Sequence, residues 1–91
     1  MKTNEQKLID AARDGDDDAV KMLLNAGADV HEGNDVSLRY AATNGHASVV
    51  KTLLEAGANP HAWDGEALRN AILYGHEGVV KIIEEAMANE K

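Results

Sequence analysis

The apolar positions of this chain fall into short stretches with helical spacing, and the stretches recur every thirty residues. Leu8, Ala11 and Ala12 return as Leu38, Ala41 and Ala42, and again as Leu68, Ala71 and Ile72. A second series runs Val20 and Leu23, Val50 and Leu53, Val80 and Ile83. Side chains three and four residues apart share one face of a helix, so each stretch predicts an amphipathic helix with a single buried stripe. Two helices per period predict an all-α chain of helix-turn-helix units, a solenoid with short connecting loops. The units span about residues 1–30, 31–60 and 61–91 of one domain. A unit of this size cannot bury its stripe alone and must lean on its neighbour.

Polar residues and glycines mark where the helices begin and end. Thr3 with Gln6 reads as a capping box for the first helix. Gly15, Gly45 and Gly75 close the first helix of each unit, and Gly57 supplies a left-handed stop for the second helix of the middle unit. Asn34 or Asp35 is expected to cap the first helix of the middle unit, and Asp64 or Gly65 that of the last. Pro60 argues against helix in the loop between them. In the last unit Glu84 replaces Leu54 and Met87 replaces Gly57, so the final helix runs on through Ala88 with a wetter outer face. Met87 and Ile83 are expected to stay exposed there, which sets a homo-oligomer built through the terminal repeat beside the monomer as an alternative.

Composition narrows the picture in two ways. Among 91 residues there is no cysteine, which removes a disulfide framework and a Cys-based zinc site. Lys and Arg total 9 against 16 Asp and Glu, a formal charge of −7, with the cations scattered. Such a chain repels nucleic acid, which is bound largely through Lys and Arg on phosphates. No apolar run is long enough for a secretory signal or a membrane span, so a cytoplasmic protein without membrane contact is expected.

Candidate chemistry dissolves on inspection. His31, His46, His61 and His76 stand fifteen residues apart, but stacking separates His31 from His61 by about 10 Å, one repeat width, too far for a shared metal at about 2 Å from each. Asp14, Asp16 and Asp18 have the alternation of a calcium loop, yet Ala19 stands where that loop needs glycine and Asn25 where it needs glutamate. They read instead as negative charge at a helix N-terminus. No nucleophile-base pair or phosphate loop emerges, and neither an enzyme nor a cofactor is expected. Arg39 and Arg69 find local partners in Asp35, four residues earlier, and Glu66, three residues earlier, with a link to the adjacent unit as the alternative.

The stretch Asn44-Gly45-His46-Ala47-Ser48-Val49-Val50-Lys51-Thr52-Leu53-Leu54-Glu55-Ala56-Gly57-Ala58 resembles the ankyrin repeat. Tyr74-Gly75-His76-Glu77-Gly78-Val79-Val80-Lys81 repeats the pattern, and Asp14-Gly15 through Gly27-Ala28-Asp29 is a divergent first copy. The period of thirty is shorter than the family's, which is about 33, and the loss falls in the finger. The family's Thr-Pro-Leu-His reads Val36-Ser37-Leu38-Arg39 and Glu66-Ala67-Leu68-Arg69 here. The resemblance implies a protein-binding scaffold whose loop tips and helix ends line a concave contact face.

Comparing the three units separates residues that recur from residues that vary. Trp63 corresponds to Gly33 and Ala62 to Glu32, while Arg13-Asp14, Thr43-Asn44 and Leu73-Tyr74 are equivalent and unlike. The resemblance puts these positions on the contact face. Trp63, Leu73 and Tyr74 are expected to form its apolar anchor, because Trp and Tyr bury much area with few rotamers to freeze. Arg13, Asp14, Glu32, Thr43 and Asn44 are expected to set specificity. The competing reading for Trp63 is that it folds over the last repeat as part of the C-terminal cap. Tyr40 stands apart, its equivalents Asp10 and Asn70 lying nearer the repeat interface. Two functions follow: a non-catalytic module that binds a folded protein, or a small acidic inhibitor that fills a basic groove, such as one that handles nucleic acid.

Overall fold

The fold is taken from a computed structural model that describes residues 1–90. Six helices follow one another: α1 (Asn4–Asp14), α2 (Asp17–Asn25), α3 (Glu32–Thr43), α4 (Ala47–Glu55), α5 (Ala62–Leu73) and α6 (Glu77–Ala88). No strand occurs among the described residues. Helices α1, α3 and α5 pack side by side in one layer, α2, α4 and α6 in a second, and each odd helix also packs on the even helix that follows it. The expected all-α solenoid is what the chain forms, 35 × 28 × 21 Å along its principal axes.

The recurring apolar residues are the core. Leu8, Leu38, Leu53 and Ile83 are fully buried, with Val20, Val49, Val50 and Val79 between them. Each such side chain contributes about 1.5–3 kcal/mol when taken out of water. Ala11, Ala41 and Ala71, also buried, keep the odd helices in contact. The capping box is present: the Gln6 amide donates to the Thr3 hydroxyl and the Thr3 amide to the Gln6 side chain. Asp16 caps α2, its carboxylate accepting from the Ala19 amide at 3.1 Å.

Three expectations are corrected. Neither Asn34 nor Asp35 caps α3 with its side chain, nor does Asp64 cap α5, and Gly65 lies inside the turn that opens it. Instead α3 opens with a left-handed turn at Gly33, Asn34 and Asp35 (φ 65°, 58° and 60°), and α5 with one at Trp63, Asp64 and Gly65 (φ 55°, 55° and 74°). The finger is reduced to this turn, and the buried Asp35 carboxylate spans it, accepting from His31 Nδ1 at 2.8 Å and from the Asn59 amide of the next unit at 2.9 Å.

Second, Arg39 and Arg69 do not pair with Asp35 and Glu66. Each guanidinium clamps the turn that precedes it. Arg39 donates to the carbonyls of Asn34 and Gly33 at 3.2 and 3.0 Å, Arg69 to those of Asp64 and Trp63 at 3.1 and 2.9 Å. Arg39 reaches further, to Glu66 of the following unit at 2.9 Å.

Third, Ile83 is fully buried under α5 and α4, and Met87 is half-buried against the core, so they offer no exposed patch. Ile72, predicted to be core, is 58% exposed although its equivalent Ala42 is fully buried. Ala42 is covered by the unit after it, and no unit among the described residues covers Ile72.

Candidate protein-contact surface

The eight candidate residues fall at the two ends of the odd helices. Arg13, Asp14, Thr43, Asn44, Leu73 and Tyr74 stand at the C-terminal ends of α1, α3 and α5, where Gly15, Gly45 and Gly75 turn the chain back. Glu32 and Trp63 stand at the opposite ends, in the turns that open α3 and α5. Eight residues of regular helix, Glu66 to Leu73, lie between Trp63 and Tyr74, about 12 Å at 1.5 Å per residue. Trp63 is therefore not contiguous with Leu73 and Tyr74. The structure draws together the six helix-end residues and separates the other two.

At the helix ends the units are sewn together by their backbones. His46 Nε2 lies 2.8 Å from the Arg13 carbonyl oxygen, and His76 Nε2 2.9 Å from that of Thr43. A carbonyl only accepts, so each imidazole carries its proton on Nε2 and donates across the unit boundary. The Asn44 amide also donates to the Arg13 carbonyl, at 3.1 Å, and the Asn70 amide to the Thr43 hydroxyl, at 3.1 Å. Thr43 and Asn44 thus hold the stack as well as standing on its surface. Together with Tyr74 and His76 they line a shallow recess of about 560 Å³.

Tyr74 and Leu73 beside this recess are 59% and 71% exposed. Tyr40, left aside by the sequence comparison, is also exposed, one turn before Thr43 on the same face of α3. Its signal in the sequence is that a large aromatic stands where the neighbouring units carry Asp10 and Asn70. Charge at this end is locally compensated. Hydrogen bonding to Lys2, aided by Lys2 and Arg13 charge, holds the Asp10 carboxyl below its ordinary pKa, and the Asp14 carboxylate raises that of Arg13.

At the other end Trp63 does not fold over α6. Its ring lies against the Arg39 guanidinium, 4.6 Å from Cζ to the ring centroid, and 58% of the residue stays in solvent. The left-handed backbone at Trp63 costs an L-residue about 1–2 kcal/mol, an expense the equivalent Gly33 does not carry. Glu32 is exposed in the neighbouring turn.

Among the described residues no group of three His, Asp or Glu side chains converges as a metal site would require. Among the described residues no helix is long and apolar enough to cross a membrane. The surface offers exposed aromatics, amide donors and acceptors, and scattered charge. A family model described as ankyrin repeats, in three copies, matches residues 8–90. No curated protein matches the chain.

Proposed function

Since the chain belongs to the ankyrin-repeat family, whose repeats are generally non-catalytic protein–protein interaction modules, we propose that it binds a folded protein through the side formed by its odd helices and the turns that precede them. The observation that carries this reading is the exposure of Trp63, Leu73, Tyr74 and Tyr40 on α3 and α5, whose other large apolar residues, Ile72 excepted, lie in or against the core. Two anchor sites about 12 Å apart, Trp63 at one end of α5 and Leu73 with Tyr74 at the other, suit a partner that lies along the helix. Arg13, Asp14, Glu32, Thr43 and Asn44 surround them and select among partners by hydrogen bonding and charge.

The test replaces the anchors by residues that the middle unit already carries at the same positions, Trp63→Gly after Gly33 and Tyr74→Asn after Asn44. Proteins captured from a lysate by the wild-type chain and by the double variant are compared by mass spectrometry, with circular dichroism on both. A partner retained by the wild type and lost by an equally helical variant supports the reading. Equal capture by both removes the anchors from it.

The acidic-inhibitor reading rests on a separate observation. Asp18, Glu55, Glu77, Glu84 and Glu85 are exposed on the even helices without an ion-pair partner among the described residues. For that surface to be the one used, partner affinity must fall steeply with added salt and survive the double substitution.

A further inference from the structure

Trp63 is an unusual residue for the turn that carries it. Its φ of 55° is left-handed, and the equivalent position in the middle unit is Gly33. The strain of an L-residue there is of the same size as the return from the cation–π contact with Arg39, so that contact does not by itself account for a tryptophan. The guanidinium also engages one face of the ring only. Its Cζ lies 4.6 Å from the centroid, and 58% of the residue remains in solvent. The stack itself does not claim that open surface. A Cβ added to Gly33 meets nothing within 4 Å except the Val36 side chain of its own unit, although a further unit follows it. A side chain leaving this position therefore emerges clear of the following unit, and Trp63 leaves from the same position.

The charges around the ring decide what can lie on it. Arg39 is buried and Glu66 meets its charge at 2.9 Å, so the indole is backed by a neutral pair rather than by a bare cation. Glu66 also holds the place that Val36 holds beside Gly33, which puts a carboxylate side chain next to the base of Trp63. Asp64 follows Trp63 directly, and Glu32 precedes the Gly33 whose carbonyl Arg39 holds. Both are exposed and without an ion pair among the described residues. Arg69, forked onto the carbonyls of Trp63 and Asp64, is the exposed cation of this region. Carboxylates thus outnumber guanidiniums by three to two. An acidic side chain laid on the ring would meet like charge, and an apolar one would cover carboxylates without pairing them. A guanidinium does neither, since it stacks flat on an indole and offers donors to carboxylates at its edge.

We propose, on the reading that this side of the molecule binds a protein, that Trp63 receives an arginine of that partner, its guanidinium stacked on the open face of the indole with Glu32 and Asp64 as counter-charges. Arginine fits better than lysine for a reason of shape. A planar guanidinium keeps its face on the ring while its edge donates, whereas an ammonium is a compact and strongly hydrated point charge. Trp63 then selects the partner by the sign of a side chain, and the distant pair Leu73 and Tyr74 by apolar burial.

Trp63 is the only tryptophan, so its indole N–H resonance and its fluorescence report on this site and no other. The full chain is titrated at low salt with the blocked tripeptide acetyl-Gly-Arg-Gly-amide and with its Lys, Leu and Glu counterparts. The arginine peptide should shift the indole resonance to saturation, with an affinity about tenfold above that of the glutamate peptide and above those of the other two. Substituting Glu32→Gln together with Asp64→Asn should shrink that preference to about twofold, and added salt should act in the same direction. A leucine or glutamate peptide that binds the indole as tightly as the arginine peptide overturns the proposal. So does an arginine preference that the double substitution leaves unchanged in an equally helical chain. Should the variant lose helicity, the four peptides on the wild type decide alone. Absence of the arginine preference beside a partner captured through Trp63 strikes this inference only. The preference found beside equal capture by the wild type and the Trp63→Gly, Tyr74→Asn chain upholds the chemistry of Trp63 and strikes the wider contact surface.

Discussion

Replacing Arg39 and Arg69 by alanine, one at a time, separates what an arginine does for its own turn from what it does between units. Both hold the carbonyls of a left-handed turn in the same fork. Those carbonyls belong to exposed residues, and water replaces the guanidinium there at little cost. Among the described residues Arg69 makes no further bond, and it is itself exposed, so Arg69→Ala should cost no more than about 0.5 kcal/mol. Arg39 is buried and bonds Glu66 of the next unit, whose side chain is only 25% exposed. Losing that charge-assisted bond and leaving Glu66 without its partner costs about 1.5–2 kcal/mol. Losing the cation–π contact to Trp63 adds about 0.5–1 kcal/mol. The total is about 2–3 kcal/mol before any loss of stem packing.

For a chain of this length about 1 kcal/mol moves the midpoint by roughly 4–8 °C, so Arg39→Ala should melt about 10–20 °C below the wild type, and Arg69→Ala within about 4 °C of it. Urea unfolding followed by circular dichroism gives the free energies directly. A double-mutant cycle of Arg39→Ala with Glu66→Gln should return a coupling of about 1 kcal/mol or more. Equal losses at the two arginines, or a coupling near zero, would refute the assignment of Arg39 as a bridge between units.

The glycines that close α3 and α5 give a second paired comparison. Gly75→Ala meets only the backbone cost of a left-handed alanine, about 1 kcal/mol, whereas Gly45→Ala also drives its Cβ against His76 and should cost at least about 1 kcal/mol more by thermal unfolding. The Asp10 carboxyl, held low mainly by its hydrogen bond to Lys2, contributes stability above the carboxylate pKa of the unfolded chain. That contribution disappears as pH falls through the depressed folded value. Lys2→Ala should therefore move the Asp10 carboxyl resonance, followed by NMR through an acid titration, upward toward the ordinary midpoint, and added salt should shrink the difference.

The parts of this fold legible in the sequence are those that each unit must repeat for itself. Leu8, Leu38 and Leu68, the alanines three residues on and the closing glycines answer the same local demand three times, and their period exposes them. The left-handed turns do not show in the apolar period because their support is polar, an arginine fork on their carbonyls and, at the first turn, the Asp35 carboxylate that reaches the Asn59 amide. Asp35 looks like a helical partner of Arg39 only if the helix is right-handed from residue 35, and it is not; Glu66 and Arg69 do share a regular turn, but Arg39 of the preceding unit takes Glu66. The runs Gly33-Asn34-Asp35 and Trp63-Asp64-Gly65 do contain the residue types that enter this conformation most readily, glycine, asparagine and aspartate, with Trp63 the exception.

Comparing equivalent positions has a further blind spot, since bonds between units join residues that are not equivalent. Arg39 meets Glu66, whose counterparts are Gln6 and Val36, and Asn70 meets Thr43, whose counterparts are Arg13 and Leu73. Variation there reflects which neighbour each unit has, not freedom to face solvent. Position by position, then, a varied residue signals a contact surface only where the structure also leaves it without a partner in a neighbouring unit among the described residues. Leu73 and Tyr74 meet that condition for their side chains, Trp63 meets it for most of its surface, and Thr43 and Asn44 do not.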